Sequence, residues 1–153
     1  MNDINRRSLL MRLSAFALTG STKPVLRVLF ICQAGTAKSA IAREFLRRRA
    51  RERGIAVSVF SRGLEIENHV SPPLHTALKR EGIDPAHDRV QKLVKSDLSK
   101  ADIVVFFNPL PPALKPLAAR DWTSLPSVND AWPKARADLA QRIDALLDEI
   151  AKR

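Results

Sequence analysis

The chain has 153 residues, of which 45% are hydrophobic and 27% charged, so one folded domain is expected and a disordered or collagen-like chain is excluded. Its formal net charge of +10 favours anionic partners, without choosing among them. No run approaches the roughly 18 uninterrupted apolar residues that a membrane span needs, so we expect no membrane partner. The single cysteine excludes an intramolecular disulfide and a cysteine-rich zinc site.

Residues 1–24 form a basic extension. The stretch from Asn5 to Leu10, with Arg6-Arg7, is similar to a twin-arginine export signal, and an apolar stretch from Leu13 to Gly20 follows it. That stretch is short, and no clear small-x-small cleavage site precedes Lys23-Pro24. We therefore expect a cytoplasmic protein, with export as the alternative.

From Val25 onward, apolar β-branched runs alternate with helical patterns. The predicted strands are Val25–Ile31, Val57–Ser61, Asp102–Asn108 and a short Pro126–Asn129. The predicted helices are Ser39–Arg53, one from Ser71-Pro72 to Gly82, and a last one whose inner stripe carries Leu139, Ile143, Leu146 and Ile150. Alternating strands and helices predict an α/β fold. We expect residues 25–153 to form a single doubly wound domain, a four-stranded parallel sheet with helices on both faces.

Arginines are concentrated in the first predicted helix. Six lie within eleven residues, at positions 43, 47, 48, 49, 51 and 53. No zinc, homeodomain or RNA-recognition signature accompanies them, and the chain has no tyrosine. We interpret them as a solvated helix face and expect no nucleic-acid partner.

The only cysteine directly follows the first predicted strand. In open parallel sheets, ligands bind beyond the carboxyl ends of the strands. A loop of small residues and a helix amino end attract anions and favour a thiolate. We therefore predict a reactive cysteine in an anion-binding loop, with an inert buried cysteine as the alternative. The loop comprises Cys32, Gln33, Ala34, Gly35, Thr36, Ala37, Lys38 and Ser39.

These residues resemble the opening of the low-molecular-weight protein tyrosine phosphatase family, which includes thioredoxin-coupled arsenate reductases. The likeness rests on Val28–Cys32, on the six-residue step from Cys32 to Lys38, and on Ser39 before Ile41-Ala42. It continues through Ser61-Arg62-Gly63, Gly82-Ile83-Asp84, Ala101-Asp102-Ile103-Val104 and Asn129-Asp130-Ala131-Trp132, so it extends over residues 25–153.

The resemblance implies a role for each matching residue. Cys32 would attack phosphorus, Lys38 would hold the phosphoryl oxygens from the family's arginine position, Ser39 would steady the thiolate, and Asp130 would protonate the leaving oxygen. The loop from Gln33 to Ser39 would bind phosphate, and the Trp132 ring would form one wall of the pocket for an aryl group. On the residues alone, Asp130 is equally well a helix cap or turn residue, and Trp132 an ordinary partly buried side chain.

Several positions depart from the family pattern. Lys38 offers a point ammonium in place of a planar guanidinium fork. Gly35 replaces a loop-bracing asparagine, Ala37 another loop residue, and Ala131 a proline. We therefore predict a weak hydrolase of aryl phosphate monoesters, with a non-catalytic oxyanion- or phosphoprotein-binding module as one alternative.

Another alternative is an arsenate reductase that uses an external thiol. Asn108 and Lys115 occupy the places of the two further cysteines of thioredoxin-coupled reductases, which excludes an internal disulfide relay. His69, His75 and His87 lack the spacing of a zinc site, and we expect them to be structural or surface residues. The expected ligands are phosphate or another oxyanion, and a phosphorylated protein, with no metal and no cofactor.

Overall fold

A computed structural model describes residues 24–114, Pro116 and 118–153. The elements are β1 (Leu26–Cys32), α1 (Lys38–Glu52), β2 (Val57–Gly63), α2 (Pro72–Arg80), α3 (Lys95–Lys100), β3 (Ile103–Phe106), β4 (Arg120–Asp121) and α4 (Trp132–Ala151), with one 3-10 turn at Pro112–Leu114. The segment similar to an export signal, and Lys115, lie outside the described residues.

The four strands form one parallel sheet in the order β2-β1-β3-β4. β1 lies in the middle, and its Val28 pairs with Val59 of β2 and with Ile103 of β3. The four residues from Val28 to Ile31 have no exposed surface. A strand that is buried on both faces reads as a continuous apolar run, which is why the sequence predicts it.

Each face of the sheet has its own core. Val28 and Phe30 point to a cluster that includes apolar residues of α1, α2 and α4. Leu29 and Ile31 point to a second cluster, against which Leu98 of α3 packs. Helices therefore cover both faces, which confirms the predicted doubly wound α/β class.

The longer helices follow local rules of sequence. The hydroxyl of Ser71 accepts the Leu74 N–H at 3.3 Å and Pro72 opens α2, so this helix begins where its cap predicts. The predicted stripe of α4, from Leu139 to Ile150, is buried. Within the described ranges, no helix is long and apolar enough to cross a membrane.

The fourth strand is not at Pro126–Asn129, and that prediction is wrong. The strand at the edge of the sheet is β4, whose Arg120 and Asp121 pair with β3. Ser127 instead closes a turn, because its carbonyl accepts the Ala131 N–H at 3.0 Å and its hydroxyl accepts the Asp130 N–H at 3.2 Å. Val128 is buried, which produces the apolar signal without a strand.

Helix α3 has no counterpart in the sequence prediction, because its six residues carry no apolar stripe. It is held by Asp97, which is 3% exposed. One carboxylate oxygen of Asp97 accepts both the Val94 N–H at the helix start and the Arg62 Nε, each at 3.0 Å. An ion pair between the buried Asp97 and the partly buried Arg62 therefore fixes this short helix.

The arginine-rich face of α1 is only partly solvated, so that expectation is wrong for Arg43, which is 2% exposed. Its guanidinium donates to Ser61 Oγ at 2.8 Å and to the Pro85 carbonyl at 3.0 Å, and its Nε lies 3.6 Å from Asp88. Arg47 binds both oxygens of Asp88, at 2.9 and 2.6 Å. These hydrogen bonds are the main cause that lowers the pKa of Asp88, and they tie α1 to the 84–88 segment.

Replacing Arg43 should destabilise the fold through the partners that it leaves behind. We expect Arg43→Leu to lower the free energy of unfolding by about 1 to 3 kcal/mol, since the Ser61 hydroxyl and the Pro85 carbonyl lose a buried hydrogen-bond donor. Arg51→Leu, on the exposed side of the same helix, should change it by less than about 0.5 kcal/mol. Urea unfolding measures both, and equal losses would contradict the assignment of Arg43 as a buried anchor.

Candidate active site

Cys32 ends β1 at the carboxyl edge of the sheet and is 4% exposed. The loop that follows is bound to the chain beyond β2. The carbonyls of Cys32, Gln33 and Ala34 accept the N–H groups of Leu64, Glu65 and Glu67 at 3.1, 2.9 and 3.2 Å. The loop between β1 and α1 is therefore held by backbone hydrogen bonds in one shape.

Two hydrogen-bonding groups surround the thiol. Cys32 Sγ lies 3.0 Å from the hydroxyl oxygen of Ser39, which is fully buried. The Gly35 N–H donates to the same sulfur at 3.2 Å. Donors aimed at a sulfur stabilise its negative form, so this geometry suits a nucleophilic thiolate.

Unpaired backbone amides of the loop indicate an anion-binding site. Within the described part of the chain, the N–H groups of Ala34, Thr36 and Ala37 have no hydrogen-bond acceptor, and α1 has no side-chain cap. Ala34 and Ala37 are 6% and 2% exposed. Unpaired amides at a helix amino end attract an oxyanion, which satisfies several of them at once.

A cavity of about 280 Å³ opens above the thiol. Its walls come from three parts of the chain: the loop residues Cys32, Gln33, Ala34, Ala37 and Lys38; Glu67, His69 and Asn108 from the ends of β2 and β3; and Ser127, Val128 and Asn129 before α4. The structure thus brings most of the predicted phosphate-binding loop to one cavity. Gly35, Thr36 and Ser39 support the loop from outside its lining.

Lys38 is the first residue of α1 and lines the cavity beside Cys32. Among the described residues, none forms an ion pair or hydrogen bond with its ammonium. The side chain is therefore available to an anion bound by the loop, at the point where the helix dipole also attracts negative charge.

Asp130 and Trp132 do not belong to this lining. The Asp130 carboxylate accepts the Ser127 hydroxyl at 2.8 Å within the turn before α4. The Trp132 ring packs edge-on against Phe45, with 6.2 Å between ring centroids. The acid role of Asp130 and the wall role of Trp132 stay predictions.

Asn108, Thr36 and Asn129 organise the cavity, although sequence reasoning gave Asn108 and Asn129 no part in the site. Asn108 Oδ1 accepts the Gln33 N–H at 2.8 Å. Thr36 Oγ1 donates to the Glu67 carbonyl at 2.6 Å and accepts the His69 N–H at 3.0 Å. One signal was available, because Asn108 and His69 follow strands whose carboxyl ends share an edge with β1.

A group of possible metal ligands lies elsewhere, where oxygen and nitrogen atoms of Glu44, His87 and Asp88 fall within 4.8 Å of one another. Both carboxylates already receive hydrogen bonds from Arg47. Guanidinium groups satisfy the negative charge that a cation would need, so we interpret this group as an ion-pair cluster.

Close packing of two backbone segments requires glycine at position 35, which the sequence alone does not show. It adopts φ +74°, and a methyl group on its Cα would lie 2.9 Å from Gly63 Cα. A methyl group on Gly63 would in turn lie 2.8 Å from Gly35 Cα. Gly35 stands where the resemblance implies a loop-bracing asparagine, and the close approach to Gly63 requires glycine there.

Substitution of Gly35 should therefore damage the anion loop beyond the cost of its backbone angle. We expect Gly35→Ala to destabilise the protein by about 2 to 5 kcal/mol, from the positive φ and the overpacking together. Gly54→Ala is the matched control, because Gly54 has φ +65° with nothing within 4 Å of the added methyl group. It should cost only about 1 to 2 kcal/mol. Thermal unfolding compares the two, and a smaller loss for Gly35→Ala would contradict the packing argument.

Comparisons with known proteins identify the family and the fold. The family model described as "Low molecular weight phosphotyrosine protein phosphatase" matches residues 27–109, more than half of the chain. No curated protein matches the sequence significantly.

Solved structures share the fold at low sequence identity. The crystal structure of YfkJ from Bacillus subtilis is 16% identical with a TM-score of 0.71, covering 86% of this chain and 98% of that one. A low molecular weight protein tyrosine phosphatase from T. tengcongensis is 20% identical with a TM-score of 0.65, covering 81% and 99%. An arsenate reductase in the phosphate binding state is 21% identical with a TM-score of 0.66, covering 82% and 99%.

The family match covers the strand, loop and helix that build the thiol and anion site, and the shared fold extends over most of the chain. The chain belongs to the low molecular weight phosphotyrosine protein phosphatase family.

Proposed function

We propose that this protein hydrolyses phosphate monoesters, with aryl phosphates as the test class, through a cysteinyl-phosphate intermediate. The observation that carries the proposal is the thiol of Cys32, held by the Ser39 hydroxyl and the Gly35 amide at the floor of a cavity. Family membership supports phosphatase-type chemistry. The anion loop supplies the binding energy, and the thiolate supplies the covalent step.

The proposed reaction has two steps. The Cys32 thiolate attacks phosphorus while the loop amides and the Lys38 ammonium hold the phosphoryl oxygens, and the bond from phosphorus to the ester oxygen breaks. The ester oxygen takes a proton from a general acid, the role that we propose for Asp130, and leaves as the alcohol or phenol; the resulting carboxylate receives a proton from the water of the second step. Water then attacks phosphorus, the phosphorus–sulfur bond breaks, and inorganic phosphate and the thiolate are released.

A second candidate is arsenate reduction with an external thiol. Among the described residues that line the cavity there is no Phe or Trp, so no phenyl or indole ring selects an aryl ester over a small inorganic oxyanion. Cys32 would displace water from arsenate. An external thiol would then attack the sulfur, leaving a mixed disulfide and arsenite, so that the thiol pair supplies both electrons. Because the chain has one cysteine, the second thiol must come from outside.

Cys32 should be a reactive nucleophile that bound oxyanions protect, because its sulfur lies at the anion loop and the amino end of α1. We expect iodoacetamide at pH 6 to alkylate the folded protein faster than the same protein unfolded in guanidinium, and millimolar phosphate or arsenate to slow the reaction. Mass spectrometry reads the result on a single site, since the chain has no other cysteine. An unreactive thiol in the folded protein, or no protection by oxyanions, would remove the anion site.

Lys38 should limit the rate. A guanidinium binds two transition-state oxygens where an ammonium makes a less directional contact, and a lost oxyanion donor of this kind is worth about 2 to 4 kcal/mol. That energy corresponds to roughly a hundredfold to a thousandfold in rate. We therefore expect Lys38→Arg to raise 4-nitrophenyl phosphate hydrolysis at least about tenfold, mostly in kcat.

The controls for this variant are Cys32→Ser, which should be inactive, and Lys38→Met, which should bind phosphate more weakly than the wild type. A Lys38→Arg protein as inactive as Cys32→Ser would favour a non-catalytic module that binds oxyanions or a phosphorylated protein. A fast wild type that Lys38→Arg does not improve would show that the ammonium is already a competent ligand.

A further inference from the structure

The side chain of Asn129 joins two segments at the cavity above Cys32. Its Nδ2 donates to the His69 carbonyl at 2.7 Å, and its Oδ1 accepts the Ser71 N–H at 3.0 Å. Both ends of the carboxamide are therefore used, on backbone groups that lie 60 and 58 residues away along the chain. Asn129 is half-buried and lines the cavity. Its side chain thus fixes the backbone of residues 69–71 against the segment before α4.

The segment that Asn129 binds is itself attached to the anion loop. Thr36 Oγ1 accepts the His69 N–H at 3.0 Å and donates to the Glu67 carbonyl at 2.6 Å. Thr36 belongs to the loop between Cys32 and α1. A continuous series of hydrogen bonds therefore leads from the anion loop, through the His69 backbone, to the residue that directly precedes Asp130.

The turn of residues 127–131, here called the acid turn, carries the proposed acid Asp130. The Ser127 carbonyl accepts the Ala131 N–H at 3.0 Å, and the Ser127 hydroxyl donates to the Asp130 carboxylate at 2.8 Å, so these bonds stay within the turn. Ala131 has φ −142°, an angle that a proline ring would not permit, so no ring stiffens the turn. Among the described residues, Asn129 supplies the hydrogen bonds that connect the acid turn to the segment bound by the anion loop.

We propose that Asn129 is the positioning residue for general acid catalysis at this site, an inference that rests on the proposed function and on the acid role proposed for Asp130. Asn129 holds the acid turn in place relative to the anion loop, so that the Asp130 carboxyl gives its proton to the ester oxygen as the phosphorus–oxygen bond breaks. A general acid acts only within hydrogen-bonding reach of the oxygen that it protonates. A displacement of about 1 Å can cost roughly a hundredfold in rate.

The test compares kcat/KM for phenyl phosphate and 4-nitrophenyl phosphate in the full chain. Phenolate is a poor leaving group that needs a proton, whereas 4-nitrophenolate leaves more readily without one. We expect Asn129→Ala to lower kcat/KM at least about tenfold for phenyl phosphate and less than about threefold for 4-nitrophenyl phosphate. Asp130→Asn should show the same selectivity with a larger loss, because general acid catalysis contributes roughly a hundredfold to ten-thousandfold.

A double variant separates positioning from a direct role. If Asn129 acts through Asp130, Asn129→Ala should cause no further loss on phenyl phosphate once Asp130→Asn has removed the acid. Losses that multiply in the double variant would overturn the proposal. Equal losses of Asn129→Ala on the two substrates, or no loss, would also overturn it.

A second substitution, Asn129→Asp, provides the measurement if Asn129→Ala does not fold. It keeps the size of the side chain and an acceptor for the Ser71 N–H, but it cannot donate to the His69 carbonyl. The ratio of kcat/KM for phenyl phosphate to that for 4-nitrophenyl phosphate should fall as in Asn129→Ala, and an unchanged ratio would contradict the proposal. Thermal unfolding and phosphate protection of Cys32 should show a folded protein with an intact anion loop. Unfolding of both variants would show that Asn129 stabilises the fold, and would overturn the positioning role.

Asn68→Ala is the matched control. Asn68 lies outside the lining of this cavity, and its side chain accepts the Val70 N–H at 3.5 Å within its own segment. This variant should keep the wild-type ratio of the two kcat/KM values. A loss of selectivity in Asn68→Ala equal to that in Asn129→Ala would contradict a specific role for Asn129.

The wild type and Asp130→Asn separate this inference from the proposed function. If the wild type hydrolyses 4-nitrophenyl phosphate no faster than Cys32→Ser, the proposed function fails, and the role of Asn129 fails with it. If the wild type is active but Asp130→Asn shows no selective loss on phenyl phosphate, the positioning role fails while cysteine-dependent hydrolysis stands.

Discussion

Burial of β1 is the constraint on which the rest of the structure depends. The strand pairs on both edges and is covered on both faces, so its residues from Val28 to Ile31 have no contact with solvent. The strand ends at Cys32, and the chain changes direction in the loop that follows. Because α1 must pack back onto the sheet, the thiol and the amino end of the helix meet at this point. The reactive group and its anion loop thus follow from the position of one strand.

The net charge of +10 indicates less about binding partners than the positions of the charged side chains do. Arg49 binds Asp144 at 2.9 Å and Arg53 binds Asp148, so the basic face of α1 is partly neutralised by α4. Arg43 donates to the Pro85 carbonyl and Arg47 binds Asp88, both in the segment between α2 and α3. Lys38 differs because no described residue pairs with it. The Lys38 ammonium at the amino end of α1 therefore bears more directly on anion binding than the arginine cluster does.

What the sequence predicts and what it misses have different physical origins. β1, α1 and the Cys32 loop were predictable because an uninterrupted apolar run and a following helix pattern are local signals. β4 has two residues and α3 has six, too few to show periodicity, and both are fixed by distant partners. His69 is positioned by Thr36, 33 residues away, and by Asn129, 60 residues away. Such contacts leave no mark on local composition.

The approach of Gly35 to Gly63 also limits how this family member can change over evolution. Both positions already carry glycine, so neither residue can become smaller to accommodate a side chain on the other. Relief would require a shift of the backbone at the end of β2, where Gly63 is held by the Gln91 carbonyl at 3.0 Å and by the Leu93 N–H at 2.8 Å. A mutational path through either glycine therefore passes through a less stable intermediate. A side chain at either position would disturb both the loop around the thiol and the end of the neighbouring strand.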